Sequence, residues 1–230
     1  MILRQLQDLI GDIYDVRITH DVYDFLVTDR DQLPLAARSG SSDEELIVAQ
    51  PAEASADVTS ADVTSADVIG MSLYLDPALL ERLRCQDPMQ CLHGGNVADW
   101  WTALEGVSHF LYLAWNAGHD KPVSLLELEL QAEIDKYVAS YWLMRRQFPD
   151  LFPAQLMRLL FERTRIDPTL AQGREDLYRQ ASGYAHRFCR KLEQSLRGTR
   201  SDPAREVLAE LRRFYRLTNA RKVAHIQRTA

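Results

Sequence analysis

The sequence predicts an α+β fold in which a small antiparallel sheet from the N-terminal third precedes an α-helical bundle of about five helices. Three observations carry this expectation. Short runs rich in β-branched and aromatic residues cluster before residue 76, and long amphipathic segments follow it. The connections between those long segments are short enough to make the helices antiparallel neighbours. At 230 residues, with 46% apolar and 26% charged residues, the chain has an ordinary globular composition and enough length to bury a core. We read residues 1–76 as a short helix plus sheet and residues 77–230 as the bundle, as two domains or one continuous one.

Apolar residues at 2, 3, 6, 9 and 10 predict a short helix ended by Gly11. Tyr14, Val16 and Ile18, then Val22, Phe25, Leu26 and Val27, read as one or two strands. Residues 46–49 (Leu-Ile-Val-Ala) and 71–75 (Met-Ser-Leu-Tyr-Leu) supply further strands. Between these lies a tandem duplication, with Ala-Asp-Val-Thr-Ser at 56–60 and again at 61–65. A period of five fits neither helix nor strand, so residues near 51–68 are expected to form a disordered, length-tolerant loop.

Asp76-Pro77 is a helix-start signal, and a short helix follows over 78–84. A loop over 85–95 leads to Asn96, the expected cap of a long helix reaching about Ala117. Residues 118–122 turn the chain, and a second long helix runs over 123–147 to Phe148-Pro149. Pro153 is expected to open a third, through about 163; a fourth spans 174–197, and Asp202-Pro203 starts a fifth that reaches at least Leu217. The helix at 96–117 is apolar on more than one side. Trp100, Leu104, Val107, Leu111, Ala114 and Trp115 form one face, with Phe110 and Leu113 away from it, which predicts a central position.

The best-organised polar residues lie on the two long helices. Projected around the first, Thr102, Glu105, His109 and Asn116 fall within about 60° of one another, with Trp101 and Tyr112 alongside. On the second, Glu133 lies near the centre of a face made by Leu126, Leu130, Tyr137, Tyr141 and Met144, with Glu129 and Ser140 at its edge. A turn centred near residue 120 sets Glu105, His109 and Glu133 at one height. An imidazole between carboxylates suits a divalent metal or proton transfer, so these three are the candidate catalytic residues. A divalent metal is the one cofactor they would call for. The spacing is Glu-x-x-x-His and occurs once, unlike the paired Glu-x-x-His of ferritin-like centres. The plainer alternative is a solvated Glu–His pair, with Glu129 and Glu133 bonded to Lys136 or an arginine.

All four tryptophans fall on these helices, and rings at that density suggest a groove facing a partner. Trp101, Tyr112, Asn116, Tyr137 and Tyr141 are the candidate binding residues. Charge is also uneven: residues 1–70 hold 14 acids and 4 bases, whereas residues 205–230 hold seven bases against Glu206 and Glu210. Arg212, Arg213, Arg216, Arg221 and Lys222 are therefore candidates for contacting nucleic-acid phosphates. Arg179 and His186 resemble the arginine–histidine spacing of the HEPN ribonucleases, but so many arginines give about two such matches by chance, and the spacing carries no weight.

No phosphate-binding glycine loop, Gly-x-Ser-x-Gly or His-Glu-x-x-His is present. Cys85, Cys91 and Cys189 match no zinc spacing and read as reduced thiols. No apolar run approaches the ~18–20 residues of a membrane helix, and residues 1–10 lack an export signal, so a cytoplasmic protein is expected. Without a catalytic signature, the first expectation is a protein–protein interaction or adaptor protein using the aromatic groove. The second is a metal-binding or acid/base enzyme, and the third a nucleic-acid binder acting through its basic C-terminal helix.

Overall fold

The computed structural model describes residues 1–33, 42–49, 70–162, 172–198 and 202–228. Among these are seven α-helices and a three-stranded sheet near the N-terminus, so the fold is α+β with a helical bundle. The duplicated pentapeptide lies outside the described residues.

Helix α1 (Ile2–Tyr14) runs past the glycine expected to end it. The Gly11 carbonyl accepts N–H groups from both Asp15 and Val16, and Asp15 closes the helix in the left-handed conformation at φ 53°. A Cβ at Gly11 would meet the Val16 oxygen at 3.0 Å, so this glycine marks where the chain folds back over the last turn. Tyr14 is thus helical rather than the start of a strand. After it, Asp21 accepts a bond from Tyr23 N and turns residues 22–24 into a 3₁₀ turn, leaving only Leu26–Val27 as strand β1.

Strands β2 (Glu44–Ala49) and β3 (Gly70–Leu75) pair antiparallel, while β1 pairs with β3 in parallel, giving the order β1-β3-β2. The sheet is therefore mixed, not antiparallel throughout. The returning strand β2 takes one edge of β3, and β1 fills the other edge running the same way as β3. Register sets Leu46 opposite Leu73 and Glu44 opposite Leu75. Directly opposed residues share a face, so Glu44 is delivered to the side on which Leu73 and Leu75 are fully buried.

Asp76 caps α2 (Pro77–Cys85) by accepting from Ala78 N, with Pro77 at the first helical position. Asn96 precedes α3 (Val97–Ala117) but spends its side chain on the preceding loop, accepting from His93 N and donating to the Gln86 and Cys91 carbonyls. Ser124 caps α4 (Leu125–Gln147). After α4 the expected third helix is a single π-turn, Arg158–Glu162, with Leu160 buried. Helix α5 (Gln172–Arg197) follows, and the expected fifth helix is split at residues 216–218 into α6 (Pro203–Tyr215) and α7 (Asn219–Arg228).

Helix α3 is central, with Trp100, Leu104, Val107, Phe110 and Tyr112 all fully buried. The indole N–H groups of Trp100 and Trp101 both donate to Ser140 Oγ at 3.0 Å, which pins the α3–α4 register by filling both lone pairs of one hydroxyl. Helices α1, α3, α4, α5 and α6 and the core face of the sheet share one continuous apolar core. No helix among the described residues is long and apolar enough to cross a membrane.

Candidate functional site

Close packing of the sheet on α3 builds the site. Gly106 faces β2 and β3 from the middle of the helix. A Cβ there would lie 2.8 Å from Leu73 Cδ1 and 2.9 Å from Glu44 Cγ. A helical glycine costs about 1 kcal/mol relative to alanine, and here the missing side chain makes room for a carboxylate over the helix. Glu105 and His109, one turn apart, flank that opening, and α4 presents Glu129, Glu133 and Lys136 from the other side.

His109 is the hub. Its side chain is 6% exposed, with Nδ1 3.6 Å from Glu44 Oε1 and Nε2 3.7 Å from Glu129 Oε2. Both distances are within ion-pair range but longer than a hydrogen bond. Glu44 Oε1 and His109 Nε2 are in fact buried polar atoms with no hydrogen-bond partner. Such atoms cost free energy unless something satisfies them. Alongside, Lys136 Nζ lies 2.6 Å from Glu105 Oε2 and 2.8 Å from Glu133 Oε1. Ligand atoms of Glu105, His109 and Glu129 all lie within 4.8 Å of one another.

Burial and charge compete here, and the outcome differs by group. Burial disfavours the His109 imidazolium, yet the Glu129 and Glu44 carboxylates outweigh it and hold this histidine well above its ordinary value. Burial raises Glu44, only partly offset by His109. Burial also acts to raise Glu105, but Lys136 and His109 together hold it below the usual carboxylate range. Four carboxylates meet one ammonium and one imidazole, so the cluster carries excess negative charge out of water.

The sequence therefore identified Glu105 and His109 correctly as neighbours, and a turn centred near residue 120 does align the helices. Glu133, the third candidate, lies on Lys136 and not on His109, because its position on α4 points it toward the flank. Glu129, read as an edge residue, takes the place expected for Glu133. Glu44 was missed altogether.

The proposed aromatic groove is corrected. Tyr112 and Tyr137 are fully buried and Tyr141 nearly so, so these rings pack the core, and of the four only Trp101, half-buried against Ser140, keeps some exposed surface. Asn116 is buried too, donating to the Tyr112 carbonyl, although it borders a cleft of about 400 Å³ with Lys121, Glu127 and Asn219.

The basic C-terminal patch is corrected as well. Lys222 has no exposed surface; it donates to Tyr112 Oη and Gln131 Oε1, both at 2.8 Å, and lies over the Tyr112 ring. Arg212 and Arg216 donate to the carbonyls of Asp12, Ile13, Tyr14 and Asp15 at the end of α1, and Arg213 pairs with Glu210. Arg213 and Arg221 stay on the open surface, the first paired only within its own helix. Lys222, Arg212 and Arg216 thus tie helices together. Arg179 likewise pairs with Glu175 and Asp176 in solvent.

A second polar network fills the core behind the site. Asp135 accepts from Tyr14, Ser108 and Gln131, and Tyr112 donates to Glu127. Burial pushes Asp135 up to about 6, despite those three donors, and pushes Lys222 down to about 7. Compared with known proteins, the chain matches no family model, no curated protein and no solved structure.

Proposed function

We propose that the protein binds one divalent transition-metal ion between α3 and α4, with Glu105, His109 and Glu129 as its ligands. The observation that carries this reading is the buried, unpartnered Nε2 of His109, facing Glu129 where carboxylates outnumber cations. One imidazole with two carboxylates suits Zn²⁺, Mn²⁺ or Fe²⁺, whereas Ca²⁺ takes oxygen donors alone. Bonds of about 2.0–2.2 Å keep ligand atoms within about 4.4 Å of each other, so a small inward movement from the 4.8 Å limit would close the set. Lys136 occupies one oxygen of Glu105 and leaves the other for the ion. Glu105 is also the most exposed of the three, and water would complete the coordination from that side.

The test is calorimetric titration of chelator-stripped protein with Zn²⁺ and Mn²⁺, alongside thermal unfolding. We expect one ion per chain, with an added stability of about 2.7 kcal/mol at a hundredfold excess over Kd. His109→Ala and Glu129→Gln should each weaken binding at least about a hundredfold, while Cys85→Ser, on the surface, should leave it unchanged. Glu129→Gln keeps the side-chain shape and serves if His109→Ala fails to fold. Absence of binding, or binding that survives both substitutions, overturns the proposal.

A further inference from the structure

We infer that Glu44 is the outer carboxylate of this centre, accepting the Nδ1–H of His109 so that Nε2 is presented to the ion. Strand β2 is then a working part of a site whose ligands all come from helices. The inference rests on the metal-binding reading above and deepens it.

The geometry orders the roles. The two imidazole nitrogens face two different carboxylates, Nδ1 toward Glu44 and Nε2 toward Glu129. A ligating histidine uses one nitrogen for the metal, and its other N–H needs an acceptor that fixes the tautomer and the ring orientation. Glu105 and Glu129 share the compact set with the ring, and Glu44 is not part of that set. Its Oε1 is buried without a hydrogen-bond partner, which is the atom an Nδ1–H would satisfy. A contraction of a few tenths of an ångström from 3.6 Å would make that bond.

The fold commits to this carboxylate twice. Pairing Glu44 with Leu75 sends it to the buried face of the sheet, where an unpaired acid is costly. Gly106 then clears its path together with that of Leu73, since a methyl group at that position would press on Leu73 Cδ1 at 2.8 Å, on Glu44 Cγ at 2.9 Å and on Oε1 at 3.2 Å. Glu44 is a positioning residue: it touches the ligand and not the ion.

The experiment uses the full chain with Co²⁺ as a spectroscopic probe, read by visible absorption, by competition with Zn²⁺, and by the exchangeable, paramagnetically shifted imidazole N–H resonance in ordinary water. Glu44→Ala should weaken Co²⁺ about ten- to a hundredfold with unchanged stoichiometry and visible band, and should abolish the N–H resonance through exchange with solvent. Glu44→Gln, which keeps an acceptor oxygen, should recover part of the affinity and the resonance. Glu44→Gln also keeps the test open if the alanine variant fails to fold, since it preserves the shape of the side chain. If Glu44→Ala binds Co²⁺ like the parent with the resonance intact, while His109→Ala has lost the ion, the role of Glu44 is overturned and the metal site stands. A changed visible band in Glu44→Ala would make Glu44 a direct ligand and also overturn it. No Co²⁺ or Zn²⁺ uptake by the parent chain would defeat the underlying metal reading instead.

Discussion

Lys136 shows how a single side chain can hold a costly arrangement together. It is the ammonium shared by Glu105 and Glu133, and its removal would leave two half-enclosed carboxylates facing each other. We expect Lys136→Met to lose about 3–5 kcal/mol in ion-free protein, with part of the loss restored by Zn²⁺, as urea unfolding with and without the ion would reveal. Asp135 gives a different signature. Its folded value is raised from 3.8 to about 6, so its contribution is fully present below about pH 4 and lost as pH rises through 6. Stability should fall across that window by up to about 1.4 kcal/mol per pH unit, and Asp135→Asn should flatten the fall in a series of denaturant melts. At this scale the sequence was half legible. Glu105 and His109 announced themselves because one turn of helix separates them. Glu44 could not, because the contact with His109 spans the chain from strand to helix; Gly106, a glycine deep in an otherwise strong helical run, was its only trace. Lys222 misled because a run of basic residues looks like a surface, although Ile226 one turn later marks the same buried face.

Among the elements, α1 and α6 are joined by an arginine clasp. The guanidinium groups of Arg212 and Arg216 reach four carbonyls at the C-terminal end of α1, where the helix dipole also favours positive charge. Replacing both by alanine should lower stability by about 2 kcal/mol in denaturant titrations and leave retention on immobilised RNA unchanged. A salt-sensitive loss of retention would return these residues to a nucleic-acid role. The α3–α4 hairpin was readable because α3 is apolar on more than one side, which marks a central helix, and a short turn fixes the height of its neighbour. The parallel pairing of β1 was not, since two residues carry no direction of their own and their partner is chosen by which edge of β3 is left open. The π-turn at Arg158–Glu162 and the break between α6 and α7 were equally hidden, as no proline or glycine marks either one.

For the whole molecule, one continuous core links α1 and the sheet to the helices, which predicts a single cooperative transition. Circular dichroism and tryptophan fluorescence should give coincident melting curves, and chains split near residue 76 should not fold separately; two resolved transitions would contradict this. The complete enclosure of Lys222 has a practical outcome at the same scale. Of the four lysines in the chain, it alone has no exposed surface at all, Lys136 keeping about a tenth of its side chain open, and once released it is an ordinary amine. Its rate of acylation in the native protein, followed by peptide mass mapping, should therefore lag far behind that of Lys121 and Lys191, and would serve as a chemical clock counting how often the interior of this molecule comes apart.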